Sequence, residues 1–178
     1  MTTTLSIEEV KNKIRAVPNF PKEGIIFRDI TTGIKDAKTL QAMVDYLCDQ
    51  YKDEKIDYIA GIESRGFIFG MPMAYKMNCG FITVRKPNKL PAKTISESYD
   101  LEYGSNTIEI HADAIEPGAR VLVVDDLLAT GGTAKAACNL VKKVGGDLVG
   151  AAFLIELNDL NGRKVLKDCG KVVSMLQY

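Results

Sequence analysis

The chain has 178 residues, of which 46% are hydrophobic and 26% charged, a composition typical of a soluble globular domain with a sizeable core. Lysine plus arginine and aspartate plus glutamate both number 23, so no basic excess favours nucleic acid or an anionic membrane surface. The first residues lack the basic flank and apolar core of a signal peptide, and no apolar run is long enough to span a bilayer. We therefore expect a single cytoplasmic domain without nucleic-acid or membrane partners.

The cysteines and the histidine exclude several kinds of site. Cys48, Cys79, Cys138 and Cys169 are far apart and form no Cys-x-x-Cys pair, so neither a zinc site nor a redox motif is indicated. Free thiols in a reducing compartment are expected. His111 is the only histidine, which excludes a His-rich metal site and leaves little room for a Ser-His-Asp mechanism.

The first fifty residues predict two helices around an irregular segment. Ser6 and Glu9 form a capping box for a first helix that is expected to end before Pro18. Residues 18–24 are irregular, and residues 25–27 form a short apolar run. Apolar residues at helical spacing over residues 40–51 predict the second helix.

From residue 56 onwards the pattern alternates between strand and helix. Predicted strands cover residues 56–62, 81–84, 107–111, 121–124, 149–156 and, at an edge, 172–176, and predicted helices cover 67–77 and 134–144. The polar segment 86–106 interrupts this alternation and is predicted to be a long loop or irregular hairpin. The alternation implies a parallel sheet with helices on both faces.

Two acids and a glycine-hydroxyl loop follow the apolar strand 121–124. Asp125 and Asp126 are expected where the strand's burial ends, at the carboxyl edge of the sheet, which is where open α/β sheets bind ligands. Residues 130–133, Thr-Gly-Gly-Thr, can offer backbone N–H groups to an anion as the next helix begins. Acids and loop together suit a ribose 5-phosphate, and the loop is not a Walker A motif. A purely structural strand end is the alternative, and phosphatases and response regulators also place acids there.

Two further loops are expected at the same edge. Ser64, Arg65 and Gly66 follow the strand 56–62 and offer donors suited to a diphosphate. Three cations, Arg85, Lys86 and Lys89, follow the strand 81–84. The alternatives are a helix start with a surface arginine and a solvated basic loop.

The stretch 121–133 closely resembles the diphosphoribosyl-binding motif of the type I phosphoribosyltransferases. The resemblance implies an α/β, Rossmann-like type I phosphoribosyltransferase fold: one domain, 1–178, with a mostly parallel central sheet, helices on both faces, a small N-terminal hood (about 1–35) and a long mobile loop (about 86–106). It also implies a binding site for 5-phosphoribosyl 1-diphosphate, formed by Ser64, Arg65, Lys86, Lys89, Tyr103, Asp125, Asp126, Ala129, Thr130, Gly131, Gly132 and Thr133.

Other segments resemble the adenine branch of this family. Residues 17–30 resemble its N-terminal hood, which implies that Ile26 and Arg28 hold the purine and that Leu157 covers it; from the residues alone, Ile26 and Leu157 are more often core positions. The run Leu-Glu-Tyr-Gly at 101–104 resembles the mobile loop and implies that Glu102 is the catalytic acid that meets the base nitrogen. The resemblance also implies that Arg85 reaches the neighbouring subunit's site, and hence a homodimer.

The implied reaction is purine salvage, in which ribose 5-phosphate passes from 5-phosphoribosyl 1-diphosphate to adenine and gives AMP and diphosphate through an oxocarbenium-like transition state. Mg²⁺ is the implied cofactor, held mainly by substrate oxygens and water, with no direct protein ligand expected. One alternative is a transferase for xanthine, guanine or hypoxanthine. The other is a non-enzymatic regulator that senses the same donor, although such a protein usually needs a basic face.

Overall fold

The computed structural model describes residues 5–100 and 104–178 of the chain. Contacts divide the chain into two compact units, Met1–Tyr46 and Leu47–Tyr178. Within the described residues no helix is long and apolar enough to cross a membrane. The four cysteines are free thiols, as predicted, and three of them are buried.

The first unit begins with a short capped helix and a hairpin. Helix α1 spans Ile7–Lys11, and its capping box is confirmed: Glu9 N donates to Ser6 Oγ at 3.3 Å, and Ser6 N donates to Glu9 Oε2 at 2.8 Å. The helix ends before Pro18 as predicted, but Ile14, which was expected on it, lies beyond its end, since the chain then enters β1 (Arg15–Pro18), which pairs antiparallel with β2 (Ile26–Asp29). Helices α2 (Thr31–Ile34) and α3 (Ala37–Asp49) follow, and α3 runs across the boundary between the units.

The second unit is built on a parallel sheet. Its strands are β3 (Tyr58–Ile62), β4 (Gly80–Val84), β5 (Thr94–Asp100), β6 (Ser105–His111), β7 (Arg120–Leu128), β8 (Asp147–Glu156) and β9 (Lys171–Gln177). The central sheet has the order β4-β3-β7-β8-β9, with every neighbouring pair parallel. The predicted parallel sheet and its last edge strand are therefore confirmed.

Helices cover both faces of this sheet, as predicted. Helix α4 (Gly66–Met77) packs on the face that carries Ile59, since a Cβ built at Gly70 of α4 would lie 3.4 Å from the Ile59 side chain. Helix α5 (Gly132–Lys143) shares its core cluster with Ala60, the next residue of β3. Successive strand residues face opposite sides of a sheet. Two short 3-10 helices, Asn158–Leu160 and Gly162–Leu166, follow β8.

The polar segment 86–106 is more regular than predicted. Strands β5 and β6 form an antiparallel two-stranded sheet with continuous register. Ile95 and Tyr99, on one face of β5, pack against the main core cluster, while Ser96 and Ser98 between them are exposed. The sequence predicts an irregular segment here because the segment is polar and contains prolines and serines.

Candidate active site

The acid pair lies inside strand β7 and does not end it. The strand continues to Leu128, and Asp126 is buried with a side-chain exposure of 7%. The expectation that burial ends at these acids is therefore wrong for Asp126, because β7 continues past it as an internal strand of the sheet. Asp126 N donates to Asp125 Oδ1 at 2.8 Å, which fixes one carboxyl against the backbone of its neighbour.

Burial raises the pKa of both carboxyls. The pKa of Asp125 is raised well above its ordinary value by desolvation and next by the negative charge of Asp126. The pKa of Asp126 is raised by desolvation, although the Arg65 guanidinium opposes the rise. Arg65 Nε lies 2.9 Å from Asp126 Oδ2. Burial therefore disfavours the charged form of both carboxyls in a place that water solvates poorly.

The loop that carries Arg65 is held against the acids by a glycine. Gly66 begins α4, and a Cβ built on it would lie 2.6 Å from the carbonyl oxygen of Val124 and 3.1 Å from Asp125 Cα. Only a glycine allows this close approach of α4 to β7. Strands β3 and β7 are hydrogen-bonded neighbours, so their carboxyl ends bring the two loops together, as the sequence predicted.

The glycine-hydroxyl loop leads into α5 and leaves the first turn of that helix without a side-chain cap. The N-cap residue is Gly131, with φ of 88°, a left-handed conformation that favours glycine. A Cβ built there would lie 2.6 Å from the carbonyl oxygen of Gly162, and one built on Gly162 would lie 2.2 Å from that of Ala129. The loop thus rests on the second 3-10 helix, backbone to backbone. Uncapped first-turn amides and the helix dipole suit an anion such as phosphate.

These elements surround one cavity of about 330 Å³. Most of the donor-binding residues predicted from the sequence line it, namely Ser64, Arg65, Lys86, Asp125, Asp126, Ala129, Thr130, Gly131, Gly132 and Thr133. The sequence did not predict three other polar residues of its wall, Glu63, Tyr99 and Asn106. Tyr99 and Asn106 are a cross-strand pair of the β5–β6 hairpin. Because the sequence predicts an irregular segment there, it does not predict which of its side chains face the cavity.

Glu63 organises the basic loop after β4. Its carboxylate accepts from Arg85 Nε at 3.1 Å, from Arg85 Nη2 at 3.2 Å and from the backbone N of Lys86 at 3.1 Å. These hydrogen bonds lower the pKa of Glu63, the Arg85 side chain having the largest effect. Arg85 Nη1 also donates to the carbonyl oxygen of Lys89 at 3.2 Å. Lys86 is thereby held at the cavity, whereas Lys89 is not among the cavity-lining residues.

The residues predicted to bind the base are not part of this cavity. Ile26 and Arg28 belong to the first unit; Ile26 is 51% exposed, not a core residue, and Arg28 is half-buried. Leu157 directly follows β8, and its N donates to the carbonyl oxygen of Leu128 at 3.0 Å. Glu102 and Tyr103 lie outside the described residues. Within residues 5–100 and 104–178 no cluster of three or more His, Cys, Asp or Glu side chains could hold a metal ion.

Fold and site together define a phosphoribosyltransferase. The family model described as "Phosphoribosyl transferase domain" matches residues 32–176, and the chain belongs to this family. The adenine phosphoribosyltransferase of Trichodesmium erythraeum is 56% identical over 170 residues, which cover 96% of this chain and 99% of that protein. The fold and the adenine branch predicted from the sequence are confirmed.

Solved structures of adenine phosphoribosyltransferases have the same fold as this chain. The crystal structure of adenine phosphoribosyltransferase from Thermoanaerobacter pseudethanolicus superposes with a TM-score of 0.94 at 48% identity and covers 97% of this chain and 100% of that one. The enzyme from Saccharomyces cerevisiae, complexed with D-2,5-dideoxy-2,5-imino-altritol 1,6-bisphosphate and adenine, gives a TM-score of 0.89 at 40% identity and covers 96% and 98% of the two chains.

Proposed function

We propose that this protein transfers ribose 5-phosphate from 5-phosphoribosyl 1-diphosphate to adenine, giving AMP and diphosphate. One observation carries the proposal: Asp125, Asp126 and the uncapped start of α5 meet in one cavity. Such a cavity can hold the hydroxyls and the phosphate of one sugar at the same time. The family and the close relatives of the chain support adenine as the acceptor.

The donor's 5-phosphate would occupy the start of α5, where the backbone amides of residues 130–133 and the hydroxyls of Thr130 and Thr133 are its partners. The ribose 2- and 3-hydroxyls would donate to Asp125 and Asp126. Hydrogen bonds to a carboxylate favour its ionised form, so the bound sugar would offset part of the desolvation that raises their pKa values.

The diphosphate would bind to the loop after β3 and to the basic loop. Ser64 and Arg65 line the cavity from one side and Lys86 from another, and charge-assisted hydrogen bonds from such groups are the strong ones. Lys89 belongs to this proposed set by family resemblance. Glu63 would act through Arg85 and the backbone of Lys86, by keeping the loop in place.

The residues present fit a Mg²⁺ ion that is bound chiefly through the substrate. Asp125 and Asp126 would hold its water ligands, since both line the cavity. When bound, the ion would neutralise charge on the diphosphate and so assist its departure. The two carboxylates would in addition stabilise positive charge as it develops on the sugar, because they are fixed in a poorly hydrated site.

The acceptor half of the site rests on resemblance to the adenine branch. Ile26 and Arg28 would contact adenine, Leu157 would cover it, and Glu102 would exchange a proton with the base nitrogen while Tyr103 packs over the sugar. Proton transfer of this kind contributes about 10²–10⁴-fold to a rate.

The subunit and cellular proposals also rest on resemblance and on simple chemistry. We propose a homodimer in which Arg85 reaches the partner's site. In this chain the Arg85 guanidinium pairs with Glu63 of the same chain, so reaching the partner would require that pair to open. Sedimentation of the wild type and of an Arg85→Ala variant tests the assembly.

We also propose a cytoplasmic enzyme, because its cysteines are free thiols, the state that a reducing compartment maintains.

The decisive experiment is a transfer assay with radiolabelled adenine, the donor and Mg²⁺, with hypoxanthine and guanine in parallel. Labelled AMP, formed at least about tenfold faster than the other nucleotides, is expected, since a site that hydrogen-bonds its substrate rejects analogues that leave those groups unpaired. Preference for hypoxanthine or guanine would contradict the assigned base. No transfer to any base would contradict the enzyme.

A further inference from the structure

The β5–β6 hairpin is fastened to α5 by polar contacts at two points. Glu97 of β5 accepts from Asn139 Nδ2 at 2.8 Å and from Lys143 Nζ, and these hydrogen bonds lower its pKa, the Lys143 side chain having the largest effect. Two residues further along β5, Tyr99 meets Thr133, where Thr133 Oγ1 donates to the Tyr99 hydroxyl at 2.9 Å. The hairpin therefore contacts both the body of α5 and the first turn of that helix.

Tyr99 is held so that its hydroxyl has little freedom. Its ring packs against the main core cluster, while the residue also lines the cavity beside the loop 129–133. A phenol that accepts a hydrogen bond from Thr133 still carries its own O–H as a donor. A phosphate oxygen is an acceptor only, so this donor suits the ligand that the first turn of α5 would bind.

The residue opposite Tyr99 supports this assignment. Asn106 pairs directly with Tyr99 across the hairpin and also lines the cavity. Directly opposed residues of an antiparallel pair lie on the same face of the sheet. The hairpin therefore presents a phenol and a carboxamide, both hydrogen-bond donors, to a cavity that contains two acids of raised pKa. Both groups can donate a hydrogen bond to an anionic part of a ligand.

We propose that Tyr99 is an additional binding residue for the 5-phosphate of the sugar, and that through it an occupied phosphate site stabilises the β5–β6 hairpin. The proposal rests on the function proposed above, since it assumes that residues 129–133 bind this phosphate. Residues 101–103, which include the proposed catalytic residue Glu102, come directly after β5 in the sequence and lie outside the described residues.

The test removes that hydroxyl and keeps the ring. Tyr99→Phe preserves the packing against the core, and Ser98→Ala is the matched control, because it removes the neighbouring hydroxyl, which contacts Thr107 on the exposed side of the hairpin. Ribose 5-phosphate is titrated into each protein by calorimetry. Loss of a hydrogen bond to a charged group should weaken binding at least about tenfold in Tyr99→Phe, and Ser98→Ala should bind as the wild type does.

Two further measurements separate a binding role from a structural one. The KM for the donor should rise in Tyr99→Phe while the KM for adenine and the melting temperature stay close to those of the wild type. At saturating ribose 5-phosphate, hydrogen exchange of the β6 amides should slow in the wild type and much less in Tyr99→Phe. Equal affinity for ribose 5-phosphate would overturn the proposal, as would an equal rise of both KM values together with a lower melting temperature.

The outcomes also distinguish this proposal from the function on which it rests. If the wild type transfers no ribose phosphate to any base but Tyr99→Phe still loses affinity for ribose 5-phosphate, the assigned reaction is wrong and the phosphate contact is right. If the wild type makes AMP and Tyr99→Phe binds the sugar phosphate normally, the reaction is right and the Tyr99 proposal is wrong.

Discussion

Gly162 packs against residues 129–133, which we call the phosphate loop because it is proposed to bind the 5-phosphate. Replacing Gly162 with alanine tests how sensitive activity is to the position of this loop. A Cβ at this position would lie 2.2 Å from the carbonyl oxygen of Ala129 and 3.0 Å from the backbone N of Gly131. Ordinary contacts between a carbon and a carbonyl oxygen are about 3.3 Å or longer. The loop and the 3-10 helix must therefore separate by about 1 Å, the difference between that contact and the built distance.

The expected loss follows from that displacement. Misplacing a binding group by about 1 Å can cost about 10²-fold in rate, so kcat/KM for the donor should fall about 100-fold in Gly162→Ala. The KM for the donor should account for most of the change, because the loop is proposed to bind the phosphate and not the base. Overpacking should also lower the free energy of unfolding by about 1–3 kcal/mol.

Gly150→Ala is the matched control. Its Cβ would lie 2.1 Å from the carbonyl oxygen of Lys171, an equally severe clash between β8 and β9 that lies towards the amino end of the strand, away from the phosphate loop. Initial rates are measured per folded molecule, with the folded fraction taken from thermal unfolding. Gly150→Ala should lose stability and keep its KM. A normal donor KM in Gly162→Ala, or the same loss in both variants, would refute the reasoning.

Three other substitutions test separate parts of the site. Asp125→Asn should raise the melting temperature of the ligand-free protein at pH 8, and this gain should shrink as the pH falls towards 4. Burial raises the pKa of the Asp125 carboxyl, so the folded wild type loses stability as the pH rises and the carboxyl ionises, whereas the asparagine stays neutral. A gain independent of pH would contradict this, and transfer activity should fall in the same variant. Glu63→Gln should raise the KM for the donor by about tenfold or less, because it weakens the charge-assisted pair with Arg85; an unchanged KM would mean that the basic loop needs no such support. Glu102→Gln should lower kcat at least about tenfold, and near-normal turnover with chemistry rate-limiting would exclude Glu102 from the mechanism.

The meeting of the acid pair with the loop after β3 was predictable because it depends on local patterns. A continuous apolar run predicts a buried parallel strand, and the ligand edge of such a sheet lies at the carboxyl ends of its strands. Loops that follow neighbouring strands must meet there, and Arg65 does pair with Asp126. The position of each of these two residues at that edge can be predicted from the sequence immediately around it.

Contacts between distant segments were not predictable. Glu63 binds Arg85, and Gly162 supports the phosphate loop, but neither pairing leaves a periodic signal in the sequence. Tyr99 was missed for another reason. Its strand alternates polar exposed residues with half-buried ones, and only packing against the core cluster shows that the alternation is regular.

The acid pair also explains why binding and stability should be coupled in this protein. For Asp126, desolvation outweighs the attraction of Arg65 and leaves the pKa raised, so the ligand-free site holds carboxyls whose ionised form is incompletely compensated. Hydroxyl donors of a bound sugar, and a cation associated with its diphosphate, would favour that ionised form. A ligand that binds only the folded state then stabilises it by mass action. In the proposed reaction, carboxylates ionised in this poorly hydrated site would also stabilise the positive charge that develops on the sugar, so the desolvation that raises their pKa would be offset most in the transition state.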